Sequence, residues 1–213
     1  MPRPAALGRG AAFASGRSLA TNSRAWDDVL DHMAPVDRGD GDRGVVLVGV
    51  AQSPVLPRQW RRDGFSISTD PKYFDLAVIH GYLVRSSWAE GIPVEIVQRS
   101  LEHSLGFALF EGEPGGRQVG FARVTTDFAT FGYLADVFVL ETYRGRGLGR
   151  WICEIIMAHP DLQGFHRWLL ATSTARGLHE KLGWYLVKRP EIFMEISVPD
   201  IYTSETTPTE LQG

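Results

Sequence analysis

The stretch VFVLETYRGRGLGRWICEII, from Val137 to Ile156, passes from an apolar run through a glycine- and arginine-rich loop into a helical pattern. Residues 144–150 of this stretch hold three glycines and three arginines. A strand that leads through glycines into a helix leaves backbone N–H groups without partners at the helix N-terminus, where the helix dipole adds about half a positive charge. The stretch therefore predicts an anion site at a strand–helix junction, and pyrophosphate is the ligand that suits it.

Two common phosphate-binding loops do not fit the spacing of this loop. A P-loop requires a lysine followed by serine or threonine, and the chain contains no such pair. A dinucleotide fingerprint requires GxGxxG, whereas Gly145, Gly147 and Gly149 are spaced as GxGxG. The pattern that fits is Q/R-x-x-G-x-G, which Arg144, Gly147 and Gly149 supply.

The flanking patterns predict an α+β layer with a mixed sheet. Periodicity and turn residues define each element. The predicted elements are a strand at 65–69, helices from Asp75 and Pro93, a hairpin of 105–112 and 117–125, a longer strand at 131–140, a helix from Leu148 that Pro160 must end, a buried strand at 167–172, a short helix at 174–183 and closing strands at 184–187 and 192–196.

The segment LADVFVLETYRGRGLGRWICEII, residues 134–156, resembles motif A of the GNAT superfamily of acetyl-coenzyme A dependent N-acyltransferases. The resemblance runs from about residue 65 to 196 and is nearest to small bacterial members with a VGFARVTTDFATFGYLADVFVL-like core. It implies the GNAT fold, a central, mixed, mostly antiparallel sheet flanked by about four helices. It also implies acetyl-coenzyme A as cosubstrate, with the pyrophosphate on the loop and the pantetheine arm along a strand that splays from its neighbour.

The resemblance also assigns the cofactor-binding residues. The matching positions are Phe138 and Val139 on the strand, Arg144, Gly145, Arg146, Gly147, Leu148, Gly149 and Arg150 in the loop, and Thr172, which stands where family members carry asparagine. Threonine still donates or accepts a hydrogen bond, so that departure is tolerable. Arg146 and Arg150 could each point to water instead. The histidines show no paired metal-ligand spacing, so no metal is implied.

The catalytic candidates are Asp136, His179 and Tyr133. His179 stands where the family's general-acid tyrosine would be, and either it or a water could protonate the leaving thiolate; alternatively, His179 is merely exposed on its helix. An alkylammonium must lose a proton before it attacks, and Asp136 is the first candidate base, ahead of Asp127 and Glu141. Asp136 could instead be a structural aspartate, and Tyr133 could line the acceptor pocket or relay a proton. Trp88 is a candidate wall of that pocket.

Composition limits the remaining possibilities. The chain has 213 residues, a formal net charge of −3 and one cysteine, Cys153, inside an apolar pattern. We therefore expect a soluble, cytoplasmic protein that binds neither nucleic acid nor membrane, with Cys153 in the core. Residues 1–60 are expected to form a largely disordered extension, with a strand at 45–50 as one option and a transit peptide as another. Residues 61–213 are expected to form the catalytic domain, with a flexible tail from about residue 200.

Three functions fit these observations. The first is an N-acetyltransferase in which an amine attacks acetyl-coenzyme A directly. The second is a catalytically degenerate module that binds or senses coenzyme A, and the third is an interaction protein whose basic loop holds another anion. The acceptor is open among small amines, amino acids, antibiotics, polyamines and protein N-termini, and a homodimer is one expected assembly.

Overall fold

The computed structural model describes residues 55–198 and 200–203, so the predicted extension and its strand at 45–50 lie almost entirely outside the described residues. The described part contains a six-stranded sheet in the order β1 to β6 and four α-helices, which confirms the predicted α+β class. The strands are β1 (Gln59–Arg62), β2 (Phe65–Ser68), β3 (Leu105–Glu111), β4 (Arg117–Thr126), β5 (Phe131–Val139) and β6 (Arg167–Leu169), and the helices are α1 (Leu76–Leu83), α2 (Val94–Glu102), α3 (Leu148–Met157) and α4 (Arg176–Glu180).

Helix boundaries follow the local signals in the sequence. Asp75 caps α1, because its carboxylate accepts a hydrogen bond from the Val78 N–H at 3.1 Å. Pro93 precedes α2, and Gly147, in the left-handed region, precedes α3. Gly183, with a φ of +89°, follows α4 as predicted.

Antiparallel pairing builds most of the sheet, and only β5 and β6 run parallel. The parallel ladder pairs Phe131 with Arg167, Gly132 with Trp168 and Tyr133 with Leu169, and then stops. Beyond Tyr133 the two strands separate, so within residues 55–198 the β5 backbone has no strand partner on that side. The separation opens the sheet where β5 leads into α3.

Apolar clusters cover both faces of the sheet. On one face, α3 packs Trp151, Ile152 and Ile156 against strand residues such as Phe107. On the other face, α1 and α2 pack residues such as Ile79 and Val97 against other strand side chains. The helices therefore hold β5 between two cores, which fixes its position at the open part of the sheet.

The C-terminal part of the chain differs from the prediction. The expected buried strand at 167–172 is only three residues long and half-buried, and no strand forms at 184–187 or 192–196. Exposed apolar side chains occupy these segments, with Met194 98 % and Ile196 100 % exposed. A strand needs a neighbouring edge for its hydrogen bonds, and the short β6 offers few. No helix in the described ranges is long and apolar enough to cross a membrane.

Candidate active site

A cleft of about 1170 Å³ lies where β5 and β6 separate. Its walls come from the separated strands, the 144–150 loop and helices α1, α2 and α4. The residues assigned to cofactor binding and the three catalytic candidates all line this cleft except Arg146, whereas the lower-ranked bases Asp127 and Glu141 do not line it. The guanidinium of Arg146 lies 5.3 Å from the centroid of the Tyr143 ring instead. One cleft therefore brings together residues that the sequence assigned separately to cofactor binding and catalysis.

The loop before α3 has free backbone donors. The N–H of Arg144 donates to the Glu141 carbonyl at 3.2 Å, and the N–H of Trp151 donates to the Gly147 carbonyl at 3.0 Å. Within the described chain, the N–H groups between these two residues have no protein acceptor. Gly145 and Gly147 take φ angles of +79° and +74°, which other residues rarely adopt. The loop conformation that exposes these donors therefore depends on glycine.

Arginines support the loop in ways that the sequence predicts only in part. Arg144 donates from Nε to the Val139 carbonyl at 3.1 Å and from Nη2 to the Tyr82 hydroxyl at 2.9 Å. Arg150 donates to Glu154 at 2.7 Å. Arg62, which sequence reasoning missed, donates to the Gly147 carbonyl at 3.3 Å, and its guanidinium lies 4.6 Å from the Trp151 ring centroid. The bonds from Arg144 and Arg62 to backbone carbonyls support the conformation of the loop and of the strand before it.

Asp136 lies at an irregularity in β5. Its φ is +53°, and the β4–β5 register shifts between Phe121 and Arg123. One carboxylate oxygen of Asp136 accepts from Arg123 Nε, and the other accepts from the Trp88 indole at 3.2 Å. These partners are side chains, and the ion pair with Arg123 also fits the structural role considered for Asp136. Both oxygens face side-chain donors that line the cleft.

The other two carboxylates considered as bases are engaged elsewhere. Asp127 accepts hydrogen bonds from the Thr130 hydroxyl and from the N–H groups of residues 129–131. These bonds, led by that of Thr130, hold the pKa of Asp127 well below its usual range. Glu141 accepts from Arg144 at 2.8 Å. Asp136 is therefore the carboxylate that the structure places in the cleft.

His179 is buried, so the alternative of a merely exposed histidine is wrong. The residue is 6 % exposed, and its ring centroid lies 6.0 Å from that of Trp184. Burial lowers the pKa of His179 below its ordinary value, so the imidazole is neutral near pH 7. Nδ1 is enclosed without a partner. Within the described residues, no hydrogen bond to Nδ1 fixes which ring nitrogen carries the proton.

Thr172 and the aromatic residues complete the cleft. The Thr172 hydroxyl accepts from the Ala175 N–H at 3.0 Å, so it also fixes the turn before α4. Trp88, 53 % exposed, lines the cleft as predicted, together with Tyr133. Tyr82, which stacks on Phe138 with ring centroids 4.0 Å apart, was not predicted because its helical spacing indicates only packing.

The mixed sheet, the separated strands and the glycine loop at a helix N-terminus define the fold of acyl-coenzyme A dependent N-acyltransferases. A family model described as the Acetyltransferase (GNAT) family matches residues 76–184. A crystal structure of a candidate GNAT acetyltransferase from Xanthomonas campestris pv. campestris is 45 % identical, with a TM-score of 0.63 and coverage of 68 % of this chain and 100 % of that chain. The chain belongs to the GNAT family and is an acetyltransferase.

Two further relatives agree with this assignment. A candidate acetyltransferase of Gibberella zeae is 32 % identical over 126 residues, which cover 51 % of this chain and 70 % of that protein. A structure from meticillin-resistant Staphylococcus aureus is 21 % identical, with a TM-score of 0.51 and coverage of 63 % of this chain and 99 % of that chain. At that identity the second likeness concerns the fold alone.

Proposed function

We propose that this protein transfers the acetyl group of acetyl-coenzyme A to a primary amine by direct attack within the cleft. The observation that carries the proposal is the run of N–H groups from Gly145 to Arg150, which have no partner within the described chain and whose residues, except Arg146, line the cleft. Such donors at a helix N-terminus suit a pyrophosphate. When bound, acetyl-coenzyme A supplies an acetyl group activated as a thioester.

The loop and β5 position the donor. The N–H groups from Gly145 to Arg150 hold the pyrophosphate, and Arg144 and Arg150 add positive charge beside it. The β5 backbone past Tyr133 has no strand partner on its β6 side, so it is free to pair with an extended amide-bearing chain. These contacts align the thioester carbonyl with the acceptor, and this alignment provides much of the rate enhancement.

Asp136 serves the acceptor amine. Its bond from Trp88 at 3.2 Å involves an indole that is 53 % exposed, so an ammonium group can replace the indole at that oxygen. The carboxylate then takes the proton that the ammonium must lose before its nitrogen attacks. The new N–C bond forms as the C–S bond breaks, and the thiolate leaves and takes a proton from water. Tyr133 lines the acceptor side of the same cleft.

His179 assists the leaving group as a neutral hydrogen-bond donor. A buried imidazole with a lowered pKa does not supply a histidinium near pH 7. A ring N–H of the neutral imidazole can nevertheless donate to the sulfur as negative charge develops there. A thiol with a pKa near 8.5 needs no stronger acid.

Calorimetric titration with acetyl-coenzyme A tests the proposal. Wild type is expected to bind, and the double variant Arg144→Ala, Gly147→Asp is expected to lose saturable binding. The matched control is Arg99→Ala, Gly164→Asp, which changes an exposed arginine and an exposed left-handed glycine outside the cleft. A second assay follows free thiol release with a panel of amines. Binding without amine-dependent thiol release would support a coenzyme A sensing module. Absence of acetyl-coenzyme A binding would contradict both the acetyltransferase and the sensing module.

A further inference from the structure

The charges in the cleft are uneven. Its described lining carries three arginines, Arg123, Arg144 and Arg150, against a single carboxylate, that of Asp136. Arg144 and Arg150 belong to the loop, so Arg123 is the one lining arginine that the pyrophosphate loop does not supply. Arg144 and Arg150 pair with Glu141 and Glu154, which lie outside the lining, whereas Asp136, the partner of Arg123, lies inside it. A polycationic acceptor, such as a polyamine, would meet a single lining carboxylate that is already paired, so the lining itself offers an acceptor more positive groups than negative ones.

We propose that Arg123 binds an anionic group on the acceptor, so that the acceptor is a primary amine that also carries a carboxylate or a phosphate. The inference rests on the proposed acetyltransferase function and narrows its substrate class. It selects amino acids and amino sugar phosphates over the other amines that the sequence leaves open.

The hydrogen bonds of Arg123 leave one edge of its guanidinium free. Nε donates to Asp136, and Nη1 donates to the Thr125 hydroxyl at 3.1 Å. Nη2 has no partner within the described residues. A guanidinium has five N–H groups, so the remaining donors on Nη1 and Nη2 can form two parallel bonds to one carboxylate or phosphate. The Arg123 side chain is 20 % exposed and lines the cleft, so the free edge has access to a ligand.

Asp136 and Arg123 together match a zwitterion. Asp136 holds Arg123 through one oxygen, and its other oxygen bonds only to the half-exposed Trp88 indole. An ammonium group can therefore bind Asp136 while the anionic group of the same molecule binds Arg123. The ion pair fixes the spacing of these two charges, since the side chain of Asp136 is only 10 % exposed. The amine is thereby oriented at the residue that accepts its proton.

Paired acceptors test this inference. Each amino acid is compared with its own amide, and each amino sugar phosphate with its dephosphorylated form, by thiol release from acetyl-coenzyme A. The anionic member is expected to have a kcat/KM roughly 10 to 100 times higher in the wild type, the range that a charged hydrogen-bonding site provides. The two pairs distinguish a carboxylate from a phosphate. The comparison with the amide underestimates the preference for the carboxylate, because removing the carboxylate charge makes the amine of the amide easier to deprotonate.

Variants at Arg123 link the preference to this residue. Arg123→Gln and Arg123→Lys are both expected to reduce the preference to less than about threefold, and Arg123→Lys, which keeps a positive charge beside Asp136, is also expected to keep acetyl-coenzyme A binding. Arg123→Lys decides the test if Arg123→Gln does not fold. Arg99→Gln, which removes an exposed arginine outside the cleft, is expected to keep the full preference.

Two outcomes would overturn the inference. One is a wild-type enzyme that acetylates the neutral members as well as the anionic ones, and the other is a preference that survives in both Arg123 variants. Either result leaves the proposed acetyltransferase function standing, because acetyl-coenzyme A binding and amine acetylation are measured separately. Failure of the wild type to bind acetyl-coenzyme A would overturn both.

Discussion

Replacing Gly147 with alanine should weaken acetyl-coenzyme A binding through backbone strain alone. Gly147 has a φ of +74° and ψ of +7°, in the left-handed region, and it precedes the first residue of α3. An added Cβ would lie 3.9 Å from Arg62 Nη2, so no atom of the protein blocks it. The substitution therefore changes the conformational preference of the loop and leaves its packing unchanged.

The size of the effect follows from the backbone angle. A non-glycine residue in the left-handed region costs roughly 1–2 kcal/mol. If the loop of the unliganded variant keeps the strained conformation, the cost lowers the free energy of unfolding. If the unliganded loop relaxes, the cost is met on binding, and the dissociation constant for acetyl-coenzyme A rises about 5- to 30-fold. The loss of unfolding free energy and the loss of binding free energy should therefore add up to roughly 1–2 kcal/mol.

Two further glycine variants separate strain from ligand contact. Gly149 has no positive φ, and its added Cβ would make only an ordinary contact, 3.8 Å from Val139 Cγ2. Gly149→Ala should therefore keep the stability and lose affinity, because the methyl group enters the pyrophosphate site. Gly164 has a φ of +79°, with open space around it and a position outside the cleft, so Gly164→Ala should lose stability and keep affinity.

The assay is calorimetric titration with acetyl-coenzyme A together with urea unfolding of each variant. The reasoning is refuted if Gly147→Ala matches wild type in both stability and affinity, since the strained conformation would then not exist. It is equally refuted if Gly147→Ala loses affinity and Gly164→Ala loses as much. In that case the loss would come from general destabilisation and not from the loop.

Three further predictions concern buried titratable groups. His179→Phe should lower kcat roughly 10- to 100-fold without changing acetyl-coenzyme A affinity, and His179→Gln, which keeps an N–H donor, should recover part of the loss in steady-state assays. Burial lowers the pKa of His159, as it does that of His179, below the ordinary 6.5. Below pH 6.5 the unfolded chain therefore binds more protons than the folded chain does. The free energy of unfolding should decrease as the pH falls through this range, by at most about 1.4 kcal/mol per pH unit for each histidine. Urea unfolding at pH 7.5 and at pH 5.5 should show a smaller decrease for His159→Phe than for wild type. Burial raises the pKa of Cys153 to about 12, so iodoacetamide at pH 8 should label it only after unfolding in guanidinium, as mass spectrometry would show.

The sequence predicts the parts of the site that depend on neighbouring residues. Glycine spacing predicts the loop from Arg144 to Arg150, and the apolar periodicity that follows predicts α3. Asp75 and Pro93 mark the starts of α1 and α2 because capping is a local property. These features need no knowledge of the rest of the chain.

Contacts between distant segments escape this kind of prediction. Arg62 reaches Gly147 across 85 positions of sequence, and no local pattern links them. Residues 184–187 and 192–196 have the composition of strands, yet they form none, because strand formation depends on an available edge and not on propensity alone. The ion pair of Arg123 with Asp136 depends likewise on how β4 and β5 align.

The irregularity at Asp136 explains why the two-residue alternation of side-chain direction along β5 does not predict that Asp136 lines the cleft. In a regular strand, Leu134 and Phe138 would face the same way, because they are four residues apart. Leu134 instead belongs to the apolar cluster under α3, and Phe138 belongs to the opposite cluster, together with α1 and α2. Val139 returns to the cluster of Leu134, five residues along, so one extra residue has been inserted between them.

That insertion gives Asp136 its position in the cleft. Its left-handed backbone costs roughly 1–2 kcal/mol, and the bonds from Arg123 and Trp88 are the contacts that offset this cost. The same bonds place a cation and a carboxylate side by side in the cleft. Strand irregularity and charge pair are therefore one feature, and a substitution that removes the pair should also move β5 beside the thioester. Arg123→Lys, which keeps the charge, is for this reason the most informative variant for separating acceptor recognition from strand geometry.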